Sequence, residues 1–151
     1  MSGFPGTYST DLAWAAIIAS PVIGSFLGLA IERLPAGRPL VWGRSECESC
    51  RHVLGPLDLI PFASWLLSRG RCRYCHARLS VFYPLIELAA LLVAVWSASA
   101  VTGLRLVAGC LIGWLLLVVT AIAWRSHKKL YWSGVLFAVW LILLYAPLPG
   151  L

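Results

Sequence analysis

The sequence predicts an all-α membrane protein of about four transmembrane helices, with a small cysteine-bearing loop between the first two. Two observations carry this reading. Of 151 residues, 60% are hydrophobic and 12% are charged, about half the charged fraction of a soluble domain. The charge is also concentrated: eight arginines and three of the six acids lie between Arg33 and Leu79, which leaves long stretches almost uncharged.

Crossing a hydrocarbon core of about 30 Å takes about 20 apolar residues. Four stretches answer to this: Leu12 to Ile31, Tyr83 to Val101, Leu106 to Trp124 and Leu130 to Ala146. The first has no basic residue before it, is too long for a signal-peptide core, and ends in Glu32 and Arg33. A retained helix is expected there, not a cleaved leader. The fourth is the shortest, with Tyr145, Pro147 and Pro149 crowding its end. The chain thus divides into residues 1–31, an extracytoplasmic terminus and first helix; 32–82, the polar loop; and 83–151, three further helices with short connections.

Orientation follows from the retention of basic residues on the cytoplasmic side of short loops. The first loop holds Arg33, Arg38, Arg44, Arg51, Arg69, Arg71, Arg73 and Arg78, and the third holds Arg125, Lys128 and Lys129, whereas the opposite side has only Arg105. Both basic loops are expected in the cytoplasm and both termini outside. Topology and anionic headgroups account for most of the net charge of +6. No aromatic platform or basic helix accompanies that charge, so nucleic acid is not an expected partner.

Four of the five cysteines form two pairs, Cys47-x2-Cys50 and Cys72-x2-Cys75, with 21 residues between the pairs. Both sit in the frame C-x-x-C-x-x-x-L, closing at Leu54 and Leu79. The repetition predicts two equivalent knuckles that face each other and present four thiolates to one ion. That arrangement suits a closed structural zinc site, with Cys47, Cys50, Cys72 and Cys75 as the metal ligands. Arg51, Arg71, Arg73 and Arg78 supply the positive surroundings that favour thiolate over thiol. A zinc-knuckle loop of this length has little apolar core of its own, so a metal cross-link would order it. A cytoplasmic location disfavours disulfides. Accidental spacing and a redox role for the pairs are the competing readings. His52 and His76 are read as solvated or supporting residues, and Cys110 as packing.

Between the pairs, Pro61 can open a helical turn and Gly70 can end it, with Phe62, Trp65 and Leu66 on one face. A short helix is expected, resting on the membrane surface or neighbouring spans, or else covering the knuckles. Gly24, Gly28 and Ala30 are small residues at helical spacing and read as helix packing. Glu87 is costly inside a membrane unless paired. It is read as a structural carboxylate paired with a loop arginine, and in second place as a contact for a methyl donor or substrate amine. Asp58 is expected to cap the Pro61 turn.

The order of motifs resembles the amino-terminal domain of the bacterial prepilin peptidases, bifunctional membrane enzymes of type IV pilus and type II secretion systems. The resemblance is carried by Gly24-Ser25-Phe26-Leu27, Arg33-Leu34-Pro35, both cysteine pairs, Asp58-Leu59-Ile60-Pro61, Ser64-Trp65-Leu66, Arg69-Gly70-Arg71 and Tyr83-Pro84-Leu85-Ile86-Glu87. Gly28 departs from it, standing where the family usually has asparagine. The resemblance implies a bacterial inner-membrane location, cleavage of prepilin leaders, and methylation of the new amino terminus from S-adenosylmethionine. Prepilins are its implied partners, and the cysteine loop its metal-binding element, linked to the methyltransferase function. S-adenosylmethionine binding rests on that resemblance alone, because no Gly-rich nucleotide fingerprint is present.

Cleavage in that family is assigned to two aspartates, one in a later helix and one in a Gly-x-Gly-Asp motif. The first would fall at or near Ala123, in Thr120-Ala121-Ile122-Ala123-Trp124, and the chain has no Gly-x-Gly-Asp and only Asp11 and Asp58. Sharing a proton between two carboxylates needs both. The expectation is therefore a prepilin-peptidase-like protein that does not cleave peptides alone: a non-catalytic relative, a subunit completed by a separate catalytic chain, or a remnant with only the methyltransferase-associated part. The alternatives are a membrane thiol oxidoreductase and a non-enzymatic binding module built on the zinc loop.

Overall fold

A computed structural model describes residues 7–40, 45–125 and 140. The order is α1 (Thr7–Arg33), a 3₁₀ turn (Pro56–Leu59), α2 (Ala63–Leu67), α3 (Phe82–Ala100) and α4 (Leu104–Arg125). Among the described residues there is no strand, only two isolated bridges, Glu46 with Val53 and Arg71 with Arg78. Three helices are long and apolar enough to span a bilayer: α1 from Thr10, α3 and α4. The first helix begins before the predicted Leu12, and the next two agree with expectation to within two residues at each end. The fourth predicted span, Leu130 to Ala146, lies outside the described residues apart from Trp140.

Pro21 sits inside α1 without breaking it. Proline has no N–H to give the carbonyl four residues back. Here that carbonyl belongs to Ile17, and the fully buried Ser20 hydroxyl donates to it at 2.7 Å. Such substitution by a hydroxyl lets a membrane helix keep a proline.

The helices pack through small residues. A Cβ on Gly24 would lie 2.7 Å from the Glu87 Cα, and one on Gly28 would lie 3.1 Å from the Tyr83 ring. Buried Ala90, Ala94 and Ser97 continue the contact face of α3. The spacing of Gly24 and Gly28 therefore does what helix packing requires: α1 and α3 approach closely over several turns. Ala90, Ala94, Leu106, Cys110 and Trp114 form the buried core, so Cys110 is a packing residue. Trp114 donates its indole N–H to the Ala90 carbonyl at 3.0 Å, and Trp140 donates to the Gly109 carbonyl at 2.9 Å. Outward faces carry exposed Ile18, Val22, Leu92, Leu111 and Leu115, as expected of surfaces solvated by lipid.

The polar loop leaves α1 through a tight turn and is tied to α3 by Phe62 N–H, which donates to Glu87. At the exit of α1, Gly37 adopts φ 62°, Arg38 N–H returns to the Arg33 carbonyl at 3.0 Å, and the Arg33 guanidinium donates to Pro39 O at 3.1 Å. The short helix forms over Ala63–Leu67 and closes where Gly70 N–H reaches the Trp65 carbonyl at 2.8 Å. Its predicted face divides, however: Trp65 packs inward against Gly70, whereas Leu66 and Leu67 point outward. Five residues make barely more than one turn, so the three positions do not share one buried stripe.

Candidate metal centre

The two cysteine pairs fold as copies of one turn. Cys47 N–H donates to the His52 carbonyl at 2.9 Å, Arg51 N–H to Cys47 O at 2.8 Å and Leu54 N–H to Ser45 O at 2.8 Å. In the second knuckle Cys72 N–H donates to Ala77 O at 2.8 Å, His76 N–H to Cys72 O at 3.0 Å and Leu79 N–H to Gly70 O at 2.8 Å. Arg51 and His76, at equivalent positions, share the left-handed φ of 58°. The first cysteine of each pair, Cys47 and Cys72, is buried, and the second, Cys50 and Cys75, is exposed. This is the repeat that the frame C-x-x-C-x-x-x-L predicts.

The knuckles bring the four sulfurs within 4.8 Å of one another, with Cys47 and Cys75 in contact at 3.8 Å. The four cysteines can hold a metal ion. Their electrostatics are asymmetric. Hydrogen bonds from the backbone N–H groups of Cys50 and Ser49 hold the Cys47 thiol down to about 7, against the opposing effect of burial. Cys50 accepts a backbone hydrogen bond from His52, yet burial and the sulfurs of Cys75, Cys47 and Cys72 push it up to about 11. One thiolate thus forms readily, and the next resists until a cation offsets the crowding of negative charge.

The arginines are engaged with carboxylates as well. Arg51 pairs with Glu46 at 2.6 Å and Arg73 with Asp58 at 3.6 Å. Asp58 caps the 3₁₀ turn by accepting from Gly55 N–H at 3.1 Å, which places its capping role one turn before the Pro61 turn that the sequence suggested. His52 stacks on Tyr74 of the other knuckle with ring centroids 3.5 Å apart, so it bridges the two copies.

Glu87 is buried, and among the described residues it pairs with no arginine. It accepts from the Ser25 hydroxyl of α1 and from the Phe62 N–H of the loop, the latter at 2.9 Å. Two neutral donors therefore meet the carboxylate, beside the close approach of α1 at Gly24. Ser25 and the Phe62 backbone were not legible as partners: a serine in an apolar helix and a peptide N–H carry no long-range signal. A second tie, also missed, joins the ends of three helices. Glu32 accepts from the Tyr83 hydroxyl and from Arg125 at 3.2 Å, and the Arg125 guanidinium lies 4.1 Å over the Phe82 ring. Ala123 lies in the last turn of α4, two residues before Arg125.

Residues 18–101, which contain both knuckles, Ser25 and Glu87, match the family model for the bacterial peptidase A24 N-terminal domain. The chain belongs to this family. Among curated A24 relatives, a prepilin leader peptidase/N-methyltransferase of Myxococcus xanthus is 41% identical over 87 residues, covering 58% of this chain and 26% of that protein. The Aeromonas salmonicida protein of the same name is 33% identical over 151 aligned residues, covering 78% of this chain and 52% of that protein. A type 4 prepilin-like proteins leader peptide-processing enzyme of Escherichia coli is 32% identical over 140, covering 78% and 47%. The chain therefore spans about half, or less, of the length of these relatives. No solved structure matches it. With three spanning helices in an A24 N-terminal domain protein, the chain is a multi-pass membrane protein.

Proposed function

We propose that this A24 N-terminal domain protein is an inner-membrane component of prepilin leader processing and amino-terminal methylation, with a zinc ion held by Cys47, Cys50, Cys72 and Cys75 on the cytoplasmic side. The observation that carries this is the convergence of four sulfurs within 4.8 Å on two copies of one turn, inside the segment that matches the family. A zinc ion with bonds of about 2.3 Å to four sulfurs sets them about 3.8 Å apart in a tetrahedron. The Cys47 to Cys75 separation of 3.8 Å already has that value. Zinc would cross-link the knuckles, and the arginines around them would balance the four thiolates.

These 151 residues are not expected to cleave leaders alone by two-aspartate chemistry, because the resemblance places the first aspartate at or near Ala123 and the sequence holds no Gly-x-Gly-Asp. Methyl transfer from S-adenosylmethionine is the activity assigned to this part of the system, with Glu87 a candidate contact for the donor or the substrate amine. The arginine bias of the loop supports its cytoplasmic placement.

Metal analysis of the purified protein, paired with leader-cleavage and methylation assays on a prepilin peptide, tests the reading. One zinc per chain, lost when all four cysteines become serine, and no cleavage are the expected results. A folded, metal-free protein would remove the zinc assignment, and cleavage by this chain alone would remove the non-proteolytic one.

A further inference from the structure

The segment from Leu57 to Leu67 carries more exposed aliphatic surface than a water-facing loop should. Leu57 is 65% exposed, Leu66 71% and Leu67 84%, with Leu59 and Ile60 also exposed. Those fractions equal the ones on the outer faces of the spans, where Ile18 is 73% and Leu104 77% exposed. Contiguous apolar surface of this kind marks a site of contact, not a solvated loop.

The depth of the segment identifies the contact. Phe62 N–H is bonded at 2.9 Å to Glu87, in the second turn of α3. At roughly 1.5 Å per residue the 19 residues of α3 reach about 28 Å, so the whole helix is needed to cross a hydrocarbon core of about 30 Å. A chain tied about 8 Å along that helix lies below the membrane surface, at the boundary of headgroups and acyl chains. Trp65 turns inward onto Gly70, which leaves Leu66 and Leu67 nothing among the described residues to cover them. Exposed Arg69 and Arg71 follow directly in the chain, and their long side chains can extend to anionic headgroups.

We propose that residues 57–67 form a monotopic anchor seated in the bilayer interface, its occupant being lipid, so that the metal knuckles are held at a fixed height against the membrane. The test uses the full chain reconstituted in vesicles of phosphatidylethanolamine and phosphatidylglycerol. A small fluorescent amino acid is incorporated at Leu67 and, separately, at Glu48 in the first knuckle. Brominated acyl chains should quench the probe at 67 severalfold, while aqueous iodide leaves it untouched; at 48 the pattern should reverse. Quenching at 67 by iodide would place the segment in water and overturn the anchor. Protection from both quenchers would mean that a second copy or another part of the chain covers the leucines, which also overturns it. Each probe replaces an exposed side chain, and an unchanged circular dichroism spectrum of each labelled protein reports that the chain remains folded.

Discussion

Glu87 shows how a buried charge is made tolerable one donor at a time. Its two oxygens are met by the Ser25 hydroxyl and the Phe62 N–H, so the side chain ties α1, α3 and the loop to one point. Glu87→Ala leaves both donors without an acceptor in a buried place, a loss of about 1–3 kcal/mol. Glu87→Gln keeps one acceptor and should cost less. Thermal unfolding in detergent micelles measures both. Native stability in Glu87→Ala together with lost methyl transfer would assign the residue to substrate instead of structure. Around the sulfurs, the same local logic produces Cys47 and Cys50 with opposite tendencies, one favoured by its own turn's N–H groups and the other burdened by its neighbours.

At the level of elements, α1 and α3 are set by what is missing between them. Gly24→Ala would drive a methyl to 2.7 Å from the Glu87 Cα and 3.1 Å from the Ala90 Cβ. Neither neighbour can swing away, so the helices must part, which should destabilise the bundle by about 1–3 kcal/mol and loosen the Ser25 bond to Glu87. Gly103 between α3 and α4 is a useful contrast. It has φ +62° with nothing within 4 Å of the place an alanine methyl would take, so Gly103→Ala bears only the left-handed backbone strain of about 1 kcal/mol. Unfolding midpoints of the two variants should rank in that order, and the reverse ranking would reject close approach at Gly24. The knuckles obey a different rule: their hydrogen bonds run from Ser45 to Leu54 and from Gly70 to Leu79, and each turn can form with little help from the spans.

For the whole molecule, the bundle and the metal loop are joined but held by different forces. The spans rest on small-residue packing and lipid-facing apolar surface, the knuckles on their turns and the proposed ion. Chelation should therefore open the loop to trypsin at Arg69, Arg71, Arg73 and Arg78 while circular dichroism retains the helices. Loss of helix on chelation would show that the metal organises the bundle as well.

The extent and order of the three described spans, and the equivalence of Cys47-x2-Cys50 with Cys72-x2-Cys75, were determined by the sequence alone. Both are local properties: hydrophobic length follows from consecutive residues, and a knuckle from the spacing of two sulfurs within one turn. The partners of Glu87, the tie of Glu32 to Tyr83 and Arg125, and the outward turn of Leu66 were decided only by the tertiary structure. Each depends on the register in which α1 passes α3, and that register is set by steric fit at Gly24 and Gly28, where side chains far apart in the chain first meet.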